Sequence, residues 1–247
     1  MQRYFVTGNI ENITFYESDI FHIERVMRFR EGDEIEVVLN GHIYLAKLIS
    51  FKPIKVSIIS EIFENRELSA HITLLYCLPK GDKLDLVIQK ATEIGVSKII
   101  GVISKRVVVR IDQKDKEKKL IRYNKIIKEA SEQSKRNVMP IFENIIDYKD
   151  IKKYLGKHNY IAYEKESLNN NSLMEKLSEI KDNENITILV GAEGGFEESE
   201  VNYANEVGFK NVSLGKLILR SETAAIYFLS VLSFMLNRWA LWKYYMN

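Results

Sequence analysis

The sequence has a single cysteine, Cys77, and only three prolines among its 247 residues. One cysteine excludes an internal disulfide framework and is typical of proteins from a reducing compartment. The small numbers of prolines and glycines argue against long disordered segments. The first ten residues, MQRYFVTGNI, lack the basic start and apolar run of a signal peptide. We therefore expect a cytoplasmic protein.

Long apolar runs are missing too. The longest, AAIYFLSVLSFML at 224–236, has 13 residues, whereas a helix that spans a bilayer needs about 20. We expect no membrane span, and we interpret this run as a buried helix or a helix at a subunit interface. The four histidines are scattered without metal-ligand spacing, so no metal site is expected. Cys77 ends a predicted strand, where packing is a better explanation than nucleophilic catalysis.

Charge is nearly balanced overall but unevenly distributed. The formal net charge is +2, yet residues 80–136 carry 16 Lys and Arg against 8 Asp and Glu. Residues 181–206 carry one Lys against seven acids. A basic central region favours a polyanionic partner such as nucleic acid. Solvated helix faces explain most of these lysines better, so composition is only a weak indication.

The pattern of apolar residues changes near residue 68. Before it, short β-branched and aromatic runs predict strands, with a type I′ hairpin at Asn40-Gly41. One helix is predicted over SDIFHIERVMRFR, with Ser18 or Asp19 as its N-cap. From residue 71 strands alternate with helices, which predicts an α/β domain with a mostly parallel sheet. The sequence therefore predicts a small β-barrel over 1–68 and an α/β domain over 71–247.

A glycine-rich motif, LVGAEGGFEESEV at 189–201, follows a predicted strand and precedes a predicted helix. It is neither a P-loop nor a Rossmann fingerprint. Glycine loops of those kinds aim helix N–H groups at an anion, and Glu193 would repel a phosphate there. The motif therefore suits a neutral or cationic ligand. Alternatively, Gly191, Gly194 and Gly195 only form a tight turn and Glu193 caps the next helix.

A second motif, LGKLILRSETA at 214–224, joins a predicted strand to the last helix. Ser221 or Thr223 can cap that helix. Arg220 stands beside an apolar loop and needs a partner. That partner is either an acid, such as Glu193 or Glu222, or a substrate.

Basic residues form two further groups. In HIERVMRFR (22–30), Arg25 and Arg28 share one helix face, where they contact phosphates or pair with Glu24 or Glu31. The second group is a candidate basic rim around the helix that follows the first strand of the α/β domain and near the end of a later helix. Its members are Lys80, Lys83, Lys90, Gln133 and Arg136.

Taken in order, the motifs resemble those of one family, the RsmE-type ribosomal RNA small subunit methyltransferases. The stretches that carry the resemblance are HIERVMRFREGDEI, LPKGDKLDLVIQKATEIGV, EASEQSKRNVMP, VGAEGGFEESE and LGKLILRSETA, and they extend nearly from end to end. The resemblance implies an N-terminal PUA-like RNA-binding barrel and a C-terminal SPOUT methyltransferase domain with a trefoil knot. It also implies a homodimer that methylates N3 of a uridine in 16S ribosomal RNA with S-adenosylmethionine.

The resemblance implies site residues as well. S-adenosylmethionine, a sulfonium cation, is expected among three loops formed by Tyr163, Glu164, Val190, Gly191, Glu193, Gly194, Gly195, Leu214, Gly215, Ile218, Leu219, Thr223 and Ala224. Arg220 is expected to stabilise the developing uracil anion or to fix the nucleotide through its phosphate. Glu193 is the weaker candidate for the proton acceptor. RNA contacts are expected from Arg25, Arg28, Lys80, Lys83, Lys90, Gln133 and Arg136.

Two positions depart from the family pattern. Ala192 replaces the proline of Gly-Pro-Glu-Gly-Gly, which should loosen the loop. Lys105 reverses a charge in a segment that usually reads Ser-Glu-Arg-Ser.

The alternatives to a 16S uridine-N3 methyltransferase are a SPOUT enzyme acting at another RNA site, an inactive RNA-binding protein, a nucleotide-binding hydrolase and a Rossmann methyltransferase. The sequence leaves open which uridine is modified, and whether free 16S ribosomal RNA or the assembled small subunit is the substrate.

Overall fold

The structure, a computed structural model, describes residues 1–81, 83–106, 113–163 and 173–246. The chain divides into two compact units. The first contains Met1–Glu67 and Lys128–Met139, and the second contains Leu68–Ile127 and Pro140–Asn247. The boundary at residue 67 lies beside the expected one. Residues 128–139, which the sequence had assigned to the second domain, group with the first unit instead.

The first unit is built from short strands and one interrupted helix. Its elements are β1 (Arg3–Phe5), β2 (Thr7–Asn9), β3 (Asn12–Thr14), α1 (Glu17–Phe21), a π-helix (His22–Val26), β4 (Glu34–Leu39), β5 (His42–Phe51) and β6 (Ile54–Ile62). Strands β1, β4, β5 and β6 form one sheet in that order, and β2 and β3 pair separately. Asn40 and Gly41 have φ values of 52° and 85° between β4 and β5. Two positive φ values define a type I′ turn, so the predicted hairpin is confirmed.

Alternate residues of β4 point into the core of the first unit. Ile35, Val37 and Leu39 pack with Tyr4 and Ile23, as the period of two along a strand requires. The predicted helix cap is wrong. Helix α1 follows Tyr16, which makes no side-chain capping bond, and it contains both Ser18 and Asp19.

A buried ionic cluster explains why Asp19 is not a cap. Asp19 is 3% exposed and accepts a hydrogen bond from the ammonium of Lys128, which lies 2.6 Å from Glu132 Oε1. The same Glu132 oxygen accepts from the Phe5 N–H at 3.1 Å. Burial raises the pKa of Glu132 to about 7, although the hydrogen bond from Lys128 acts in the opposite direction. Two carboxylates and one ammonium thus join α1 to residues 128–132.

The second unit alternates strands with helices, as predicted. Its elements are β7 (His71–Cys77), α2 (Lys83–Ile94), β8 (Lys98–Ile103), α3 (Gln113–Gln133, whose end belongs to the first unit), β9 (Ile141–Asp147), a 3₁₀-helix (Tyr148–Tyr154), β10 (His158–Ala162), α4 (Leu173–Ser178), β11 (Asn185–Val190), α5 (Glu198–Glu206), β12 (Lys210–Val212) and α6 (Ser221–Met246). The six strands form one parallel sheet in the order β12-β10-β11-β7-β8-β9.

The central strands of this sheet are buried on both faces, which explains their continuous apolar runs. Leu75, Ile100, Ile161 and Leu189, one from each of four adjacent strands, are fully buried in one cluster. Cys77 is buried in it too, and burial raises the pKa of its thiol to about 12. Strands β10, β11 and β7 are neighbours, so the loops after them meet at one edge, where ligands bind in such sheets. No helix within the described ranges is long and apolar enough to cross a membrane.

The ionic cluster predicts a pH dependence of stability. The pKa of Glu132 in the folded state is about 7, above its ordinary value of 4.5. The folded state therefore holds the proton of Glu132 more tightly than the unfolded state does. This contribution to the free energy of unfolding is fully present below about pH 4.5 and is lost as pH rises through 7. Glu132→Gln should reduce this loss, by about 1–3 kcal/mol between pH 5 and pH 8, in urea unfolding. Glu129→Gln, at an exposed position of the same helix, is the control. Equal slopes for the wild type and Glu132→Gln would contradict the assignment.

Candidate functional site

A cleft of about 370 Å³ opens at the carboxyl ends of β10 and β11. It is lined by Ala162, residues 190–196, residues 218–221 and Ala224. A smaller hollow of about 90 Å³ is lined by Ala162, Tyr163, residues 213–219 and Ala224. The two share four lining residues and form one groove. A volume of this size lies in the range of about 300–1,000 Å³ that is typical of small-molecule sites.

Most of the expected cofactor contacts meet at this groove. The residues that line it are Tyr163, Val190, Gly191, Glu193, Gly194, Gly195, Leu214, Gly215, Ile218, Leu219 and Ala224. Thr223 is exposed and is not among the lining residues, and Glu164 lies outside the described residues. Sequence reasoning missed Ala162, Phe196, Ser213 and Ser221, whereas Ala192, Lys216 and Leu217 lie within the expected loops 191–195 and 214–219. The missed residues could have been found from their position in the sequence, because all but Ala162 lie within the two motifs after β11 and β12 or directly beside them.

The glycine loop after β11 is a tight turn that also lines the groove, so the two interpretations of its glycines are compatible. The Gly195 N–H donates to the Ala192 carbonyl at 2.9 Å, and Gly195 has a φ of 64°, which favours glycine. A side chain at Gly191 would meet the Phe196 ring at 3.1–3.3 Å. The alternative in which Glu193 caps the next helix is wrong. Glu197 occupies the cap of α5.

The start of α6 is tied to this loop. The Ala224 N–H donates to the Arg220 carbonyl at 2.8 Å, so Arg220 holds the capping position predicted for Ser221 or Thr223. Ser221 is buried, donates to the Gly191 carbonyl and lies 2.8 Å from the Tyr76 hydroxyl. A serine hydroxyl has one proton and a carbonyl can only accept. Tyr76 must therefore donate to Ser221.

Lys83 lies between two carboxylates of the site. Its Nζ is 3.1 Å from Glu193 Oε1 and 3.5 Å from Glu222 Oε2. Partial burial acts to raise the pKa of Glu193. Hydrogen bonds from backbone N–H groups and from Lys83 outweigh it, so the pKa lies below its ordinary value. The hydrogen bond to Glu193 raises the pKa of Lys83. Lys83, expected at RNA phosphates, thus neutralises acids at the groove.

Arg220 lines the same cleft and its residue is exposed. Within the described part of the chain, no carboxylate pairs with its guanidinium. The alternative in which Glu193 or Glu222 is its partner is therefore not realised, because Lys83 pairs with both acids. Among the described residues of the site, the guanidinium of Arg220 is therefore available to an anionic ligand.

A third loop supports the glycine turn. The guanidinium of Arg106, after β8, donates to the Gly194 carbonyl. The Lys105 N–H donates to Glu200 Oε1 at 2.8 Å, and Lys105 Nζ lies 3.3 Å from Glu197 Oε2. Glu200 also accepts from the Glu197 N–H at 2.9 Å. These contacts fix the start of α5 against the end of β8.

The remaining basic residues divide into two sets. Arg25, Arg28, Lys80 and Gln133 are exposed, and neither arginine pairs with Glu24 or Glu31 among the described residues. In contrast, Lys90 pairs with Glu93 at 2.9 Å. Arg136 is 5% exposed, and its guanidinium pairs with Glu67 in the first unit. The phosphate contact expected of Arg136 does not fit this placement, because its charge is already paired within the fold.

Comparisons with known proteins agree with this architecture. A family described as an RNA methyltransferase domain matches residues 66–233, and one described as an RNA methyltransferase PUA domain matches residues 15–59. The first match covers the β7–β12 sheet and the groove. The second covers α1, the π-helix, β4 and β5 and the start of β6.

Several known proteins are similar to this chain over nearly its whole length. Ribosomal RNA small subunit methyltransferase E of Bacillus subtilis is 35% identical over 95% of this chain and 96% of its own length. The protein of that name from Mesomycoplasma hyopneumoniae is 34% identical over 93% and 98%. A crystal structure of the Neisseria gonorrhoeae enzyme of that name, bound to S-adenosyl methionine, has a TM-score of 0.81 and 30% identity over 95% and 98%.

The geometry of Lys83 predicts a change in the titration of Glu193. Lys83→Met removes the ammonium 3.1 Å from the carboxylate, so the pKa of Glu193 should rise. Carboxyl resonances followed by NMR during a pH titration measure this shift. Lys90→Met, which removes a lysine paired with Glu93 on the same helix, is the matched control. An unchanged pKa of Glu193 in Lys83→Met would contradict the pairing.

Proposed function

The chain belongs to the ribosomal RNA small subunit methyltransferase E family, and on that premise we propose that it methylates N3 of a uridine in 16S ribosomal RNA. It is an S-adenosylmethionine-dependent RNA methyltransferase with an N-terminal PUA domain and a C-terminal α/β methyltransferase domain. One observation carries the proposal. The loops expected around the cofactor line a single groove at the carboxyl ends of β10 and β11.

The chemistry of the groove fits the cofactor. Its walls are glycine loops and mostly small or apolar side chains, and its charged lining residues are Glu193, Lys216 and Arg220. An ionised carboxylate disfavours a polyphosphate and tolerates a sulfonium. We assign Gly191, Gly194 and Gly195 to close backbone approach, and Ile218 and Leu219 to the apolar wall. S-adenosylmethionine supplies an electrophilic methyl group when it is bound; the protein supplies placement and charge.

We assign the stabilisation of negative charge to Arg220. N3 of a uracil must lose its proton to a base or to solvent water, which leaves negative charge shared by N3, O2 and O4. A guanidinium that has no intramolecular ion pair among the described residues and lines the groove can stabilise that charge. The same group can instead hold the phosphate of the target nucleotide. Both roles depend on the position of Arg220 directly before Ser221, which is held by buried hydrogen bonds.

We assign Glu193 an orienting role. A general base works best when its pKa lies near the working pH, and the pKa of Glu193 is lowered. Its carboxylate is held by Lys83 at 3.1 Å. It therefore remains ionised at neutral pH and accepts a proton weakly. This supports a role in positioning the loop and Lys83.

The RNA and the oligomeric state complete the proposal. Arg25, Arg28 and Lys80 are exposed cations, which we assign to phosphate contacts. Gln133, also exposed, we assign to a polar contact. Free 16S ribosomal RNA and the assembled small subunit are both candidate substrates, and either places the reaction in the cytoplasm. We extend the proposal to the trefoil knot that the family resemblance implies.

We also propose a homodimer. Helix α6 exposes Tyr227 and Phe234, the latter 63% exposed, and exposed aromatic side chains on a helix are typical of protein interfaces. Sedimentation velocity of the full chain at micromolar concentration should give twice the chain mass of 28.8 kDa. A single species of monomer mass would contradict this part of the proposal.

Mapping of methylated nucleotides tests the activity itself. We expect the purified protein and S-adenosylmethionine to add one methyl group to 16S ribosomal RNA taken from cells that lack the protein. Digestion and mass spectrometry identify the base, and the modified base should be 3-methyluridine. Methylation of another base or another RNA would refute the N3 assignment while leaving the methyltransferase class intact.

Arg220→Ala tests the proposed catalytic role. Loss of one charge-stabilising donor typically lowers kcat by about 10²–10³-fold, and we expect a loss of this size at saturating cofactor and RNA. Binding of S-adenosylmethionine, measured by calorimetry, should change little. Arg122→Ala, which removes an exposed arginine of α3 outside the groove, is the control. Near-normal turnover of Arg220→Ala would show that the assignment is wrong.

A further inference from the structure

The segment from α1 to Arg30 has one anchored face and one exposed face. On the anchored face, Asp19 is 3% exposed beside Lys128, and Ile23 is fully buried. His22 Nδ1 lies 2.9 Å from the Tyr4 hydroxyl, and Phe29 packs against the core. The backbone is therefore held firmly, so the opposite face is presented in a defined way.

The exposed face carries large apolar side chains. Phe21 is 62% exposed, Val26 57% and Met27 42%. The π-helix begins directly after Phe21, and the Met27 N–H donates to the His22 carbonyl five residues back at 2.9 Å. Neighbours on successive turns are thus separated by four to five residues, which places Arg25 and Val26 beside Phe21. Short π-helical turns are rare and often occur at functional sites.

The same segment carries three arginines. Arg25, Arg28 and Arg30 are all exposed, and none of their guanidinium groups forms an ion pair in the part of the chain that the structure describes. Arg28 also has a φ of 54°, an uncommon conformation for a residue with a side chain. An aromatic ring among unpaired arginines is what a single-stranded nucleic acid needs, since bases stack on aromatic faces and phosphates bind guanidinium groups.

We propose that Phe21 is a stacking platform for an unpaired base of the RNA substrate, with Arg25 and Arg28 holding the neighbouring phosphates. This inference rests on the proposed function, because that function brings RNA to the first unit. The charge of this surface favours RNA over a second copy of the chain as its binding partner. A second copy of the chain would bring the same arginines into the contact, whereas RNA brings the complementary charge.

Binding of a fluorescent single-stranded oligouridylate and of a 16S ribosomal RNA transcript tests the proposal. Phe21→Ala should weaken binding of both by roughly 10-fold or more, the usual effect of removing one base-stacking ring. Phe21→Tyr keeps an aromatic face and should bind within about two-fold of the wild type. Phe63→Ala is the matched control, since Phe63 is 91% exposed in the same unit, and it should leave both affinities unchanged.

The salt dependence separates stacking from charge. Phe21→Ala should keep the slope of log affinity against log salt, whereas Arg25→Ala should reduce its magnitude by about one. Wild-type affinity in Phe21→Ala, or equal losses in Phe21→Ala and Phe63→Ala, would overturn the proposal. A shift of Phe21→Ala to monomer with unchanged RNA affinity would overturn it in favour of a contact between copies of this chain.

The same experiments distinguish a failure of the proposed function from a failure of the stacking surface. If the wild type fails to methylate 16S ribosomal RNA but Phe21→Ala still loses oligouridylate affinity, the proposed function fails and the stacking surface stands. If the wild type methylates 16S ribosomal RNA and Phe21→Ala binds RNA normally, the surface is wrong and the function stands. Calorimetry should give the same affinity for S-adenosylmethionine in Phe21→Ala as in the wild type, and a loss would mean a damaged fold.

Discussion

The buried hydroxyl of Ser221 links three elements that surround the groove. Ser221, at the first position of α6, donates to the Gly191 carbonyl and receives a hydrogen bond from Tyr76 on β7. A buried carbonyl or hydroxyl without a partner costs about 1–3 kcal/mol, so these three groups keep each other in place. Three elements far apart in sequence thus meet at one point. Arg220 owes its position at the groove to this neighbour in the chain.

The charge balance of the groove follows from the same geometry. Glu193 and Glu222 both lie within 3.5 Å of the ammonium of Lys83, which offsets the repulsion that two nearby carboxylates would otherwise produce. Because Lys83 occupies both acids, Arg220 is left without an intramolecular counter-ion among the described residues. The groove therefore combines a held carboxylate, compatible with a cationic methyl donor, and an available guanidinium, suited to the anion that forms on the base.

The alternation of strands and helices could be predicted from local patterns in the sequence, whereas the assignment of three loops to the cofactor depended on the family resemblance. Features that depend on distant partners could not be predicted. Asp19 reads as a helix cap until Lys128, 109 residues later, is found beside it. The α-helical period also misread 22–26, since nothing local distinguishes a π-helix. Lys83 was expected to contact phosphate because its partners lie far away in the sequence, Glu193 in the loop after β11 and Glu222 in the first turn of α6.

The two positions that depart from the family pattern are both bonded to the rest of the fold through backbone groups. Ala192 accepts the hydrogen bond that closes the glycine turn through its carbonyl, so closure does not require the fixed φ of proline. Lys105 donates its backbone N–H to Glu200 Oε1 at 2.8 Å, a bond that does not use the side chain. The ammonium of Lys105 lies 3.3 Å from Glu197 Oε2, and an exposed ion pair of this kind contributes little to stability. A change of side chain at either position therefore leaves these backbone groups in place, unless it introduces a proline at 105.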